Sequence, residues 1–148
     1  MRSSALVRVA ALVVAVGLTC LVMFQIALIA GAPLGRAAWG GTYIRLPASL
    51  RLGSVISILI YGVGALVVLR RAGFPIRWIS PVFARLGTWA LAVILTLSAL
   101  INFLSQSPWE RFLMGPTALL LAILAAIVAH NGTDTVSTSS AESDDLGS

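Results

Sequence analysis

An all-α membrane bundle, four transmembrane helices running up-down-up-down, is the fold class this sequence predicts. Three observations carry it. Hydrophobic residues make up 59% of the 148-residue chain and charged residues only 10%, whereas a soluble domain carries roughly 25% charged residues to keep its surface wet. Four apolar stretches, about 9–30, 52–69, 82–104 and 109–129, stand out, and a helix needs about 20 residues to cross a hydrocarbon core. The segments between them hold most of the arginine, proline and tryptophan. In lipid every backbone N–H and C=O must be satisfied inside the protein, which favours helices over open strands, and the alternating segments of a transmembrane barrel are absent.

The first span follows Arg2 and Arg8, and Ala30-Gly31-Ala32 resembles a cleavage site. A secretory signal core is only about 7–15 residues long, so the longer apolar run here predicts an uncleaved helix. Cys20 is the single cysteine, which rules out an intrachain disulfide, and its apolar neighbours make it a small packing residue. Thr19 before it and Leu21-Val22-Met23-Phe24 after it do not fit a lipoprotein signal. In the first loop Gly40-Gly41 reads as a tight turn. Pro47 opens the second span, with Arg51 near the headgroups, and Arg70-Arg71 stops it. Ser80-Pro81 opens the third.

For the fourth span, Ser107-Pro108-Trp109-Glu110 predicts a capping box: Ser at the N-cap, Pro at the first helical position, Glu reaching back. Pro116 falls within this span and predicts a kink. Beyond His130 the composition turns Ser/Thr-rich and acidic, with Asp134, Glu142, Asp144 and Asp145, so residues 132–148 are expected to form a disordered cytoplasmic tail after a 1–131 membrane domain. The acceptor pattern Asn131-Gly132-Thr133 is read as chance, since a cytoplasmic segment never meets the glycosylation machinery.

Arginine distribution sets the expected orientation. Arg2, Arg8, Arg70, Arg71, Arg77 and Arg85 fall on one side, and Arg36, Arg45, Arg51 and Arg111 on the other. The richer side predicts both termini in the cytoplasm. Trp39, Tyr43 and Trp109 then mark the outer interface, Trp78 and Trp89 the inner one. A sequence pI near 11.1 does not imply nucleic acid, because the arginines lie between apolar runs rather than along one face.

Small residues recur at helical spacing: Ala118, Ala122 and Ala126; Thr88, Ala92 and Thr96; Gly53 and Ser57, with Gly62 and Gly64 further along the second helix. Such stripes let helices approach closely. Packing inside one bundle is the simpler reading, a dimer face the alternative. Depth is more informative. Gln25, Ser54, Ser57, Ser98 and Asn102 all fall in the outer half of an up-down bundle, with Arg51, Glu110 and Arg111 just above. This cluster is either polar glue that fixes helix register or an outward pocket for a small molecule or lipid.

Several activities lack their groups. Without an acidic residue inside a span, a small proton-coupled exporter has no membrane carboxylate. There is no cysteine pair for disulfide chemistry, and His130, the sole histidine, cannot build a haem or metal site alone. No glycine-rich phosphate loop precedes a helix. No catalytic residue, metal or cofactor is therefore expected.

One group of motifs runs through the chain. Gln25, Gly31-Ala32-Pro33-Leu34-Gly35, Trp39-Gly40-Gly41, Leu46-Pro47 and Leu50-Arg51-Leu52-Gly53-Ser54 are followed by Asn102-Phe103, Ser105, Ser107, Glu110-Arg111 and Pro116. Together they resemble an uncharacterised family of small four-helix bacterial inner-membrane proteins, over nearly the whole chain outside the acidic tail. The resemblance implies a bacterial plasma-membrane location and supplies no activity. The family's recurrent positions coincide with the outer polar cluster. The resulting expectation is a non-enzymatic membrane protein with a candidate ligand site at Gln25, Arg51, Ser54, Asn102, Glu110 and Arg111. Its expected partners are the lipid bilayer and a membrane protein or a second copy, not nucleic acid. The alternative is a small transporter or membrane enzyme using Glu110 and Arg111 at the outer surface.

Overall fold

The computed structural model describes residues 2–132; the expected 132–148 tail, apart from Gly132 itself, lies outside the described residues. Four helices carry the fold: α1 (Arg2–Ile29), α2 (Ala48–Arg71), α3 (Pro81–Leu104) and α4 (Gly115–Asn131), the last preceded by a π-helical turn, Glu110–Met114. Each helical span is long and apolar enough to cross a membrane. The protein is thus a multi-pass helical bundle, as its composition predicts. α1 packs on α2 and α4, α3 packs on α2 and α4, and α2 touches α4 across the diagonal. Antiparallel neighbours joined in chain order close into a four-membered ring.

The helices outrun the hydropathy boundaries. α1 and α2 start at Arg2 and Ala48, ahead of the expected 9 and 52, because hydropathy marks the hydrocarbon layer while the hydrogen-bond ladder continues past it. Pro47 precedes α2 in extended conformation and its carbonyl takes Leu50 N–H and Arg51 N–H. Ser80 Oγ accepts from Phe83 N–H at 3.2 Å, with Pro81 at the first helical position. Gly31 and Gly73 adopt left-handed φ of 88° and 86° just past α1 and α2. Each is followed by an N–H reaching back five residues (Ala32 to Ala27 O, Phe74 to Leu69 O), the closure that lets a helix end without orphan carbonyls.

Small side chains fill the centre. Ala11, Val14, Leu18, Val68, Ala125 and Val128 are all completely buried, and Leu91, Leu95, Leu121 and Ala122 complete the same cluster. An added Cβ on Gly17 would meet Leu121 Cδ2 at 2.7 Å, and one on Gly64 would meet Leu91 Cδ1 at 2.8 Å. The stripe Ala118–Ala122 therefore faces the bundle interior, while Thr96 is exposed and bonds its own helix at Ala92 O. Large side chains such as Leu6, Leu59, Leu86, Leu100 and Ile101 project outward, more than half exposed. In water that surface would be prohibitive; facing acyl chains it is the expected solvent contact.

The end where α1 begins and α4 finishes is tied by arginine. Arg71 is 4% exposed, and its Nε–H and Nη2–H both donate to Ala129 O, at 3.3 and 3.0 Å, near the end of α4. Arg70 Nε–H donates to Ile79 O across the α2–α3 turn. Arg8 stacks over Phe74, 5.6 Å from the ring centroid.

Candidate functional site

At the opposite end, the 30–47 segment does more than connect. It folds back over the bundle. Leu28, Ala38 and Leu46 form a small core of their own, packed by Phe24 and Leu50. Gly35 N–H bonds Ile44 O, closing the loop on itself. Trp39 takes a left-handed φ of 55°, uncommon for a bulky residue, and its indole lies on Gly53 of α2, where any Cβ would overlap the ring. Trp39, expected as an interfacial anchor, seals loop against helix while staying 40% exposed.

The same loop is bonded to the start of the fourth span. Ser107 Oγ–H donates to Arg36 O at 2.6 Å, and Gly40 N–H donates to Glu110 Oε1 at 2.9 Å. This corrects the expected capping box. Ser107 does act as a cap, accepting from Glu110 N–H at 3.5 Å. Glu110, however, turns across to the loop, while Ser107 N–H is taken by Ser105 Oγ. The kink expected at Pro116 takes the form of the π-helical turn just before it. Pro116 has no N–H, and its ring crowds the carbonyl four residues back. Gly115 N–H reaches Glu110 O instead, five residues back, and Thr117 Oγ1 bonds Leu113 O at 2.7 Å.

Beneath the loop lies a cavity of about 740 Å³, within the usual range for small-molecule sites. α1 contributes Leu21, Phe24 and Gln25; the loop contributes Ala37, Ala38, Trp39 and Gly40; α2 contributes Leu50, Ser57 and Tyr61. From α3 and the turn after it come Leu95, Ser98, Ile101, Asn102, Leu104, Ser105 and Gln106, and from the fourth span Glu110, Met114, Thr117 and Ala118. With 1.5 Å of rise per residue, the eight steps from Leu21 to Ile29 put the floor about 12 Å below that end of α1. α2 and α3 meet at Val67 with Thr88 and at Gly64 with Leu91, both on the far side of that floor. On the loop side the α3 wall includes Ile101 and Leu104, which are 70% and 80% exposed.

The residues expected at the site separate into two groups. Gln25, Asn102 and Glu110 line the cavity, joined by Ser57 and Ser98. Gln25 is 8% exposed and Glu110 5%. Gln25 Oε1 is buried without a hydrogen-bond partner. Ser54, Arg51 and Arg111 are not in the lining. Ser54 is closed in the core, fully buried, with its Oγ unpartnered. Arg51 Nε–H bonds Leu46 O, and Arg111 Nη2–H bonds Ser105 O at 2.8 Å from an exposed position. Glu110 and Arg111 are adjacent in sequence yet go opposite ways, one into the cavity and one out.

The expectation that no span holds a carboxylate is corrected as well. Glu110 is the first residue of the fourth membrane-crossing segment and is buried, because the loop folds over the position that helix counting leaves at headgroup level. Among the described residues no group of three or more potential metal ligands gathers anywhere. Phe24 and Tyr61 were not singled out by the sequence, and Trp39 only as an interfacial anchor and a loop motif, not as a cavity residue. Tyr61 had one usable signal, a phenol in the middle of an apolar span, where a hydroxyl needs a polar neighbour. No protein-family model, curated protein or solved structure matches the chain.

Proposed function

We propose that this chain is a non-enzymatic multi-pass protein of a bacterial plasma membrane, with both termini cytoplasmic, that holds a small amphipathic molecule or lipid in the cavity under its first loop. The observation that carries the reading is Gln25. Its carbonyl oxygen is buried beside the cavity and bonds nothing. An amide so placed in an apolar bundle loses its water without compensation, a penalty of roughly 1–3 kcal/mol that an occupant's donor would recover. A polar glue would have its members bonded to one another, and Gln25, Asn102 and Glu110 share no bond.

The orientation rests on arginine. Arg2, Arg8, Arg70, Arg71, Arg77 and Arg85 favour the cytoplasm for the terminal end, which leaves the cavity in the outer half of the membrane. The bacterial location rests on the motif resemblance from Gln25 to Pro116.

Two measurements test the proposal. In a Cys20→Ser background, Gln106→Cys places a thiol at the exposed rim of the cavity; a membrane-impermeant maleimide should label it in intact cells, and labelling only after permeabilisation would reverse the orientation. For occupancy, full-length protein extracted with its surrounding lipid is examined by native mass spectrometry. The wild type should retain a small amphiphile that the cavity-filling Ser98→Trp variant loses at an unchanged unfolding midpoint. Equal retention by both, or none by either, would refute the binding role.

A further inference from the structure

We infer that the cavity is a cation site: its occupant carries a fixed positive charge on an apolar body, with Glu110 as the counter-ion. The inference rests on the ligand-binding reading above and specifies the ligand's chemistry. Three observations converge on it. Glu110 is the one carboxylate side chain among the described residues, and it is 95% buried at the cavity wall (5% exposed). Its only bond among those residues is the Gly40 N–H to Oε1, so Oε2 has no donor and no guanidinium closes an ion pair with it. At this end of the bundle Arg51 Nε–H bonds Leu46 O and Arg111 Nη2–H bonds Ser105 O, and neither these nor Arg36, whose carbonyl takes Ser107 Oγ–H, pairs with the carboxylate.

A carboxylate on a buried wall without a cation is penalised, and the described residues supply none. The remaining wall suits a desolvated cation. Phe24, Trp39 and Tyr61 line the space along with Glu110, and aromatic faces attract cations through their quadrupole, most strongly where water is excluded. Gln25 Oε1 adds an unpartnered acceptor dipole. An anion would meet a carboxylate, an amide oxygen and three aromatic side chains; a neutral apolar molecule would leave the carboxylate uncompensated. The same chemistry has two sources: a free lipophilic ammonium or phosphonium, or the ammonium headgroup of a lipid whose chains lie along Ile101 and Leu104.

The test uses full-length protein in maltoside micelles with two probes of matched shape and opposite charge, tetraphenylphosphonium and tetraphenylborate, titrated by calorimetry against protein-free micelles. Wild type should bind the phosphonium and not the borate. Glu110→Gln keeps an acceptor for Gly40 N–H but removes the charge, and should weaken phosphonium binding roughly tenfold or more. Competition then identifies the source. Displacement by short-chain phosphatidylethanolamine but not by phosphatidylglycerol assigns a lipid headgroup; displacement by neither assigns a free cation. Wild-type protein that does not distinguish the two probes would overturn the inference even if the variant failed to assemble, and so would a folded Glu110→Gln protein with unchanged phosphonium affinity. Retention of an amphiphile that Ser98→Trp loses, combined with indifference to probe charge, would sink the cation assignment and leave the binding role standing.

Discussion

Replacing Gly53 with Ala should weaken the protein, whereas the same change nine residues along α2, at Gly62, should strengthen it. Both glycines lie inside one membrane helix, so the backbone gains the same helix preference, up to about 1 kcal/mol. Their surroundings differ. An added Cβ at Gly62 meets nothing within 4 Å, while at Gly53 it comes 2.6 Å from Trp39 Cζ2 and overlaps the ring edge. Trp39 is a rigid double ring on a residue already at left-handed φ, so relief requires the loop to lift. Overpacking of this kind costs about 1–3 kcal/mol. The two variants should therefore differ by roughly 1–4 kcal/mol, the clash added to whatever part of the helix gain Gly53→Ala fails to keep. Equilibrium unfolding of the purified protein in mixed detergent and dodecyl sulfate micelles, followed by far-UV circular dichroism, measures that difference. Trp39 should also become more accessible to an aqueous quencher in the Gly53 variant alone. Equal midpoints with unchanged quenching would mean that the loop does not sit on α2, and the closed roof of the cavity would go with it.

Other perturbations follow the same logic. Glu110→Ala strips the acceptor from Gly40 N–H and should speed hydrogen exchange at that amide, with a loss of about 1.5–3 kcal/mol for a bond to a charged group; Glu110→Gln should leave exchange close to wild type, and equal exchange in all three proteins would remove the loop-to-helix bond from the account. Arg71→Met removes two donors from Ala129 O and should cost about 2–3 kcal/mol in the same unfolding assay, with fraying near the end of α4 seen by exchange; an unchanged midpoint would count against the arginine tie. Ser54→Ala should be neutral or stabilising by up to about 1 kcal/mol, since it deletes a buried hydroxyl that has no partner. A clear loss of stability there would show that Ser54 makes a bond.

Much of the fold was written locally. Pro47, Ser80-Pro81 and Arg70-Arg71 bound their helices where short-range chemistry puts them, because caps and charged stops act within one turn. Gln25, Ser98 and Asn102 are neighbours in space, as their depth along the helices predicts, since an up-down bundle converts distance from a helix end into height. Glu110 joins the same cavity, as expected of a residue just above the cluster, but its burial was not legible. Counting along the fourth span leaves that residue at headgroup level, and nothing within four residues reports that the 30–47 segment will cover it. Ser54 and Ser57 show the same gap on a smaller scale. They differ by three positions on α2, yet one is sealed in the core and the other lines the cavity.

The amino-acid order alone determined the solvent and the crossings: so little charge over four long apolar runs admits no medium but lipid, and lipid admits no backbone but a self-bonded helix. Tertiary structure decided which polar groups stayed unpaired. Pairing in a bilayer depends on which helix faces come together and where a loop lands, and those contacts join residues as distant as Gly40 and Glu110. Local sequence carries no record of them.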